Sequence, residues 1–327
     1  MYNAVSLFSG CGGCDQGLLG DFTFNNEYYS RLPFNLSFAS DIDQKALNTH
    51  KLNFSCSNVV CGDICNIPSE EIPDHDILIG GFPCQSFSTA NPTKDPFDDR
   101  ANLYKQMVRI AADKQPKVII AENVKGLMTL HKGQIFKRVR ESFEEAGYVL
   151  SYKLVNAANY GVPQKRERII IVGFRKDLGI TFEFPEETTS EKWVPLSVAV
   201  PVLEIPEKKY YFSKRAVEGM KNAKPNMKRG LWQNLDEPCL TVTSHLAKVS
   251  LNSRDPVLLV KPEEELYRRF TPREAARIQS FPDSFMFAGT EQDAYRQIGN
   301  AVPPVLFWHI ANKVAQLLIT NEGKDNG

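Results

Sequence analysis

Three kinds of reactive side chain stand in three short stretches of this sequence. They are a thiol at Cys84 in GGFPCQSFS, a carboxyl at Glu122 in AENVKG, and guanidinium groups at Arg166 and Arg168 in QKRERIII. A thiol is intrinsically nucleophilic and partly ionised near neutral pH, which makes Cys84 a candidate nucleophile. Cys84 follows the apolar run ending at Ile79, and Glu122 and Asn123 come directly after the fully apolar Val118 to Ala121, so both reach the end of an expected strand. Arg166 and Arg168 stand just before and at the start of another apolar strand, where alternation puts them on one face. A thiol, a carboxyl and a guanidinium converging at one sheet edge make a reaction site. Taken singly, Cys84 would also suit a hydrophobic core, and Glu122 would also suit a plain ion pair with Arg168.

A second constellation opens the chain. VSLFSGCGGCDQG places glycines between a predicted strand and a predicted helix, where glycine permits positive φ and close approach of the backbone to a ligand. Turns of this kind serve dinucleotide and adenosyl groups, and also occur as tight turns with no ligand. Asp41 in FASDID and Asp63 in CGDIC follow the next two apolar runs. An acid after the second strand suits ribose hydroxyls, and both aspartates would also serve as strand-end caps.

These residues need a scaffold, and the sequence predicts one. Strands are expected at Val5 to Phe8, Leu36 to Ser40, Ile77 to Gly80, Val118 to Ala121, Val149 to Val155 and Arg168 to Gly173, with Asn58 to Val60 a further apolar run. Helices are expected at Asp43 to Leu52, Ala101 to Lys114 and Gly133 to Ala146, while NNEYYSRLPF reads as an inserted loop. Such alternation signals an α/β, doubly wound, mostly parallel sheet, whose ligands bind beyond the carboxyl ends of the strands. From about 178 to 265 the chain is rich in proline and charge, which predicts a smaller domain of short strands and loops. In FTPREAARIQSF, Thr271, Pro272 and Glu274 form a capping box. A last helix from Pro304 to about Leu318 carries an apolar face that would pack on the first domain. The expected division is 1–177, 178–267 and 268–327.

Composition narrows the class. Charged residues make up 24 % and hydrophobic ones 42 % of 327 residues, the profile of a globular protein. No apolar run approaches the ~20 residues that span a bilayer, and the N-terminus has no secretory pattern. A reading in the cytosol follows, where seven cysteines stay reduced. The spacings Cys11 to Cys14 and Cys56, Cys61, Cys65 form only a weak zinc pattern, and no metal is expected. With 39 basic and 39 acidic residues, nucleic acid would have to be held by local patches.

Taken together and in order, FSGCGG, GGFPCQSFS, AENVKG, QKRERIIIVGF, RRFTPREAARIQSFPDSF and IGNAVP closely resemble the motifs of the DNA (cytosine-5)-methyltransferases of bacterial restriction-modification systems. The resemblance runs nearly end to end. It implies a Rossmann-like methyltransferase fold that uses S-adenosylmethionine and releases S-adenosylhomocysteine. It implies that Cys84 adds to carbon 6 of a target cytosine, so that carbon 5 behaves like an enamine carbon. Glu122, protonated, would hydrogen-bond ring nitrogen 3, which calls for a dry pocket. Arg168 would hold the base's carbonyl oxygen, Arg166 would support the charge arrangement or a phosphate, and Asn123 would brace the loop or touch the base. The methionine part of the cofactor falls to Gly10, Gly12, Gly13 and Asn300, with Pro83 and Val302 beside it. The ribose falls to Asp41, the adenine to Phe8, Ile42 and Ile64 with Asp63, and Leu103 is expected near the cofactor. Ser6 departs from the aspartate that many relatives carry there.

A base inside a duplex must be swung out before a thiolate can reach it. Double-stranded DNA is therefore the expected partner, the enzyme acting as a monomer and, in a restriction-modification context, alongside a separate cognate endonuclease. STANPTKDPFDDRANLY reads as a lid with Arg100 on phosphate, and Gln85 and Ser88 either contact DNA or shape their turn. Target recognition would lie in 178–267, where Thr241 and Val242 match the family's short signature and, from Lys214 to Arg254, lysines and arginines outnumber acids. An RNA cytosine-5 methyltransferase of the same fold and a silent DNA-binding relative are the alternatives.

Overall fold

The computed structural model of the protein describes residues 1–83, 103–222, 232–247 and 256–325. Its central sheet has seven strands: β1 (Tyr2–Leu7), β2 (Phe34–Asp41), β3 (Asn58–Cys61), β4 (Ile77–Gly80), β5 (Val118–Val124), β6 (Tyr148–Asn156) and β7 (Glu167–Arg175). Their order across the sheet is β3-β2-β1-β4-β5-β7-β6. β1 to β5 pair in parallel, whereas β7 runs antiparallel to both β5 and β6. The central strands are apolar on both faces because both faces are covered. Ala4, Ile77, Ile79, Val118, Ile120, Ile170 and Val172 enter one core layer, while Val5, Leu7, Leu78, Ile119, Ala121, Ile169 and Ile171 enter the other. That division is the two-residue strand period expressed as packing.

Helix α1 (Gly13–Leu19) follows β1, and α2 (Gln44–Asn53) follows β2 with Asp43 as its N-cap, its carboxylate accepting from Lys45 N at 3.0 Å. α3 (Tyr104–Lys114) and α4 (Gln134–Glu145) cover the second layer through Tyr104, Met107, Ile110, Ile135, Val139 and Phe143. Strand order reverses between β1 and β4, which opens a crevice at the carboxyl ends of those strands. The expected inserted loop proves to contain a strand, Glu27–Tyr29, paired with Phe22–Phe24. Tyr29 stacks on Phe22 at 4.9 Å between ring centroids, an aromatic pairing that short loop-like composition conceals.

Among the described residues between 178 and 267 the chain makes single turns, one helix, α5 (Lys214–Lys221), capped by Ser213, and short strands, Leu258–Lys261 paired with Leu266–Arg268 and Cys239–Leu240 paired with Gln164–Lys165. Leu196, Val200, Cys239, Val242 and Leu246 join the main core, while Val217, Val257 and Tyr267 form a small cluster of their own. α6 (Pro272–Ile278) has Thr271 as N-cap and Glu274 completing the capping box. α7 (Glu291–Asn300), not foreseen from the sequence, begins at a second box formed by Thr290 and Asp293. α8 (Pro304–Asp325) packs on α1, where a Cβ at Gly17 would fall 2.5 Å from Pro304 O.

Arg268 stitches these parts together. Fully buried, it pairs with both oxygens of Glu274 at 2.7 and 2.8 Å and donates to the carbonyls of Val202, Leu203 and Arg269. Removing one partner of such a pair leaves an uncompensated charge in the interior. Glu274→Ala should therefore lower unfolding free energy by about 3–5 kcal/mol, read as a shift in urea midpoint, whereas Glu291→Ala on the surface should change it little.

Candidate active site

Three strand ends meet at the crevice. β4 ends at Gly80 and leads through Gly81, Phe82 and Pro83 toward Cys84; Cys84, Gln85, Ser88 and Arg100 lie outside the described residues. β5 carries Glu122 and Asn123, and the antiparallel register sets Ile170 of β7 opposite Glu122. Arg168, two residues from Ile170, is thus the diagonal neighbour of Glu122 on the same face. Its Nε lies 2.8 Å from Glu122 Oε1, both side chains being largely shielded from solvent. The other carboxylate oxygen faces Gly81, where a Cβ would sit 3.3 Å away. A glycine there lets the chain leading to Cys84 pass directly over the acid.

Asn123 is buried and points the other way along the same passage. Its amide donates to Phe82 O at 2.8 Å and accepts from Val124 N at 2.9 Å, so it braces the backbone two residues before Cys84. Arg166 is buried behind the site. It donates to Val242 O at 3.2 Å, Gly299 O at 3.2 Å and Ala301 O at 3.0 Å. Burial, with the neighbouring Arg168 charge, pushes its guanidinium down to about 9, so it remains charged at neutral pH. A phosphate contact for Arg166 does not fit a side chain only 2 % exposed; its partners are backbone carbonyls.

Two buried glutamines extend that seam. Gln164 donates to Gln279 Oε1 at 2.7 Å and accepts from Val242 N at 2.8 Å, and Gln279 in turn donates to Ile298 O at 2.7 Å. A Cβ at Gly299 would fall 2.2 Å from Ser244 N, so the end of α7 rests on the backbone after Val242. Thr241 Oγ donates to Lys165 O at 2.8 Å, which ties the Thr-Val pair to the segment just before the strand bearing Arg168. Both glutamines lie inside the motifs, but their neighbours, Pro163 and Lys165 beside one and Ile278 and Ser280 beside the other, do not mark them as buried.

On the other side of β1 lies the glycine turn. Phe8, Gly10 and Gly12 all have positive φ, at 54°, 55° and 96°. Gly12 has no room for a side chain, since a Cβ would fall 2.2 Å from the Phe54 ring, and one at Gly13 would fall 2.4 Å from Val302 O. The second clash records the docking of the Asn300 to Val302 segment against the turn, with Asn300 exposed at the end of α7. Asp41 accepts from Gly10 N and Asp43 N, each at 2.8 Å. Burial raises its carboxyl above the ordinary aspartate value, and those two N–H groups oppose the rise. Each of its oxygens keeps a lone pair for a hydroxyl. Asp63 caps the turn Ile64–Asn66, accepting from Cys65 N. Phe8 and Leu103 pack at the edge of the cluster that holds Ile64 and Phe82, and Ile42 is 73 % exposed, an apolar surface left open at the crevice. Positive-φ glycines, an acid with free lone pairs and an exposed isoleucine together fit an adenosyl group.

Burial pushes the Cys11 thiol up to about 12, the opposite of what a zinc ligand requires. Among the described residues no group of three or more His, Cys, Asp or Glu could hold a metal ion. No helix among them is long and apolar enough to cross a membrane. A cavity of about 490 Å³ lined by Arg31, Asn35, Asn53 and Phe285 lies at the start of β2, away from the reaction edge.

Six strands running one way, a seventh inverted between β5 and β6, and a glycine turn at the switch point make the fold of the S-adenosylmethionine-dependent methyltransferases. The chain belongs to the C-5 cytosine-specific DNA methylase family, which matches residues 2–316. It is 36 % identical to the type II methyltransferase M.FnuDI of Fusobacterium nucleatum, over 97 % of this chain and 95 % of that protein. It is 34 % identical to M1.ScrFI of Lactococcus lactis subsp. cremoris, over 97 % of this chain and 79 % of that one. Among solved structures, Dnmt2 of S. pombe shares the fold at a TM-score of 0.74 and 19 % identity, covering 98 % of this chain and 99 % of that one. A prophage-encoded DNA modification methyltransferase of E. coli does so at 0.73 and 24 %, covering 98 % and 100 %.

Asn123→Ala removes the brace on Phe82 and orphans two backbone groups. A displacement of about 1 Å at a reacting atom costs on the order of 100-fold, so single-turnover methyl transfer should fall roughly 10- to 100-fold with DNA affinity unchanged.

Proposed function

We propose that this DNA (cytosine-5)-methyltransferase is the modification enzyme of a type II restriction-modification pair, acting on a cytosine swung out of duplex DNA. The observation that carries the chemical reading is the Glu122 and Arg168 pair, set at 2.8 Å beside the backbone that runs into Cys84. Type II methyltransferases of similar length among its relatives support the biological setting. They do not favour the RNA alternative.

In this reading the Cys84 thiolate forms a bond to carbon 6, and the displaced electron pair moves into the ring toward nitrogen 3 and the carbonyl. Glu122 in neutral form donates to nitrogen 3, and Arg168 donates to the carbonyl oxygen, so the developing charge is met by groups already in place. S-adenosylmethionine supplies an electrophilic methyl group when bound. Gly10, Gly12, Gly13 and Asn300 would hold its methionine end, Asp41 its ribose, and Phe8, Ile42, Asp63 and Ile64 its adenine, with Pro83, Leu103 and Val302 closing the sides. Once carbon 5 carries the methyl group, its proton leaves to a base, the ring double bond re-forms, and Cys84 departs as thiolate. Asn123 and Arg166 act on the backbone, holding the approach to Cys84 and the seam behind Arg168.

Residues 178–267 would choose the DNA sequence, and Thr241, tied to Lys165, would set that region's distance from Arg168. Gln85, Ser88 and Arg100 would contact the DNA strand around the extruded base. The enzyme would act as a monomer in the cytosol, its endonuclease partner working separately.

Cys84→Ala should abolish methyl transfer while leaving duplex DNA binding intact, and the native enzyme should form a stable adduct with duplex DNA containing 5-fluorocytosine. Turnover of the Cys84 variant near the native rate would remove the assigned nucleophile. Methylation of tRNA at a rate matching that of DNA would overturn the substrate.

A further inference from the structure

Beneath the glycine turn lie two ionisable side chains that no step above uses. Asp15, in the first turn of α1, and His50, in the last turn of α2, have fully buried side chains, with Nε2 of the imidazole 3.4 Å from Asp15 Oδ2. Neither side chain makes a hydrogen bond to any described residue. The His50 ring packs on Phe54 with centroids 4.7 Å apart. Phe54 in turn fills the space beside Gly12, where a Cβ would lie 2.2 Å from its ring. A closed path thus runs from the turn through Phe54 and His50 to Asp15 and back to the turn.

The two helices so joined start from different parts of the methyl-donor site. α1 begins at Gly13, and α2 begins after its cap Asp43, two residues past Asp41. The thiols of Cys11, Cys14 and Cys56, which feel the Asp15 charge, are all held protonated by burial first. They bring no positive charge beside Asp15, and the basic side chain set against it is the imidazole of His50, 3.4 Å away. A buried ion that loses its partner has no compensation in a low-dielectric interior, so the pair ties the position of one helix to that of the other.

We propose that Asp15 and His50 form a buried positioning pair that locks α1 to α2 and so sets the spacing between the methionine and ribose halves of the cofactor site. This rests on reading that site as one for S-adenosylmethionine. The pair touches no reacting atom; its effect falls on cofactor affinity.

The test uses the full chain with Asp15→Asn, His50→Gln and both together, measuring binding of S-adenosylhomocysteine by calorimetry and methyl-transfer kinetics. Each single variant should raise Kd and the KM for S-adenosylmethionine about tenfold, with kcat at saturating cofactor within about twofold, as expected for coupling through binding alone. The double variant should lose less than the two singles combined, because no charge is left alone. Folded single variants with native affinity, or losses that simply add, would overturn the pair. Should a single variant fail to fold, the native protein decides the matter: the histidine ring ¹⁵N signal with Overhauser contacts to Phe54 must shift as S-adenosylhomocysteine saturates, and a static signal overturns the proposal. A native protein that binds no S-adenosylhomocysteine at all would instead overturn the cofactor reading.

Discussion

Arg166 holds three stretches of chain by their carbonyl oxygens: Val242 from the region between the motifs, Gly299 at the end of α7, and Ala301 beyond it. Its neighbour two residues on, Arg168, faces Glu122. One segment of six residues, Gln164 to Ile169, therefore reaches the reaction edge, the return of the last helices and the Thr-Val pair at once. A guanidinium suits this place because its donors form a rigid planar fork and it keeps its charge when buried. Three carbonyl dipoles spread that charge without requiring a second ion. If this seam shifted, Glu122, the glycine turn and the segment around Thr241 would lose their common reference.

The inverted strand is the other structural condition. β7 runs against β5, so the start of β7 lies beside the end of β5, and a residue entering one strand meets a residue leaving the other. That is how Arg168 and Glu122, far apart in sequence, become diagonal neighbours. On the opposite side of β5, parallel pairing with β4 brings Gly81 over the same carboxylate. Parallel and antiparallel pairing thus deliver Gly81, on the path to Cys84, and the cationic Arg168 to one acid from its two sides.

Much of the scaffold was legible because its signals are local. The apolar runs at Ile77 to Ile79 and Val118 to Ala121 leave no reading but buried strands, and the capping box at Thr271 and Glu274 was visible as residue types at fixed spacing. The hairpin at Phe22 to Tyr29 and helix α7 were missed. The hairpin depends on cross-strand aromatic packing, and α7 is short, polar on one side, and held largely through Tyr295 and Ile298 against the core. The phosphate reading of Arg166 failed for a related reason. Alternation along a strand tells which residues share a face but not how deeply that face is covered.

From residue order alone came the identity of the chemistry: a cysteine after Gly-Phe-Pro, an acid after an apolar strand, two arginines before another, and glycines where positive φ is required. Those features are short-range, set by side-chain type and by steric limits on the backbone. Tertiary structure alone decided which polar groups face solvent and which are shut inside: Arg166 on carbonyls, Asn123 on Phe82, Gln164 on Gln279, and Asp15 against His50. The physical reason is that burial is a property of the whole packed molecule. A polar side chain is driven to a partner only once distant segments have closed over it and excluded water.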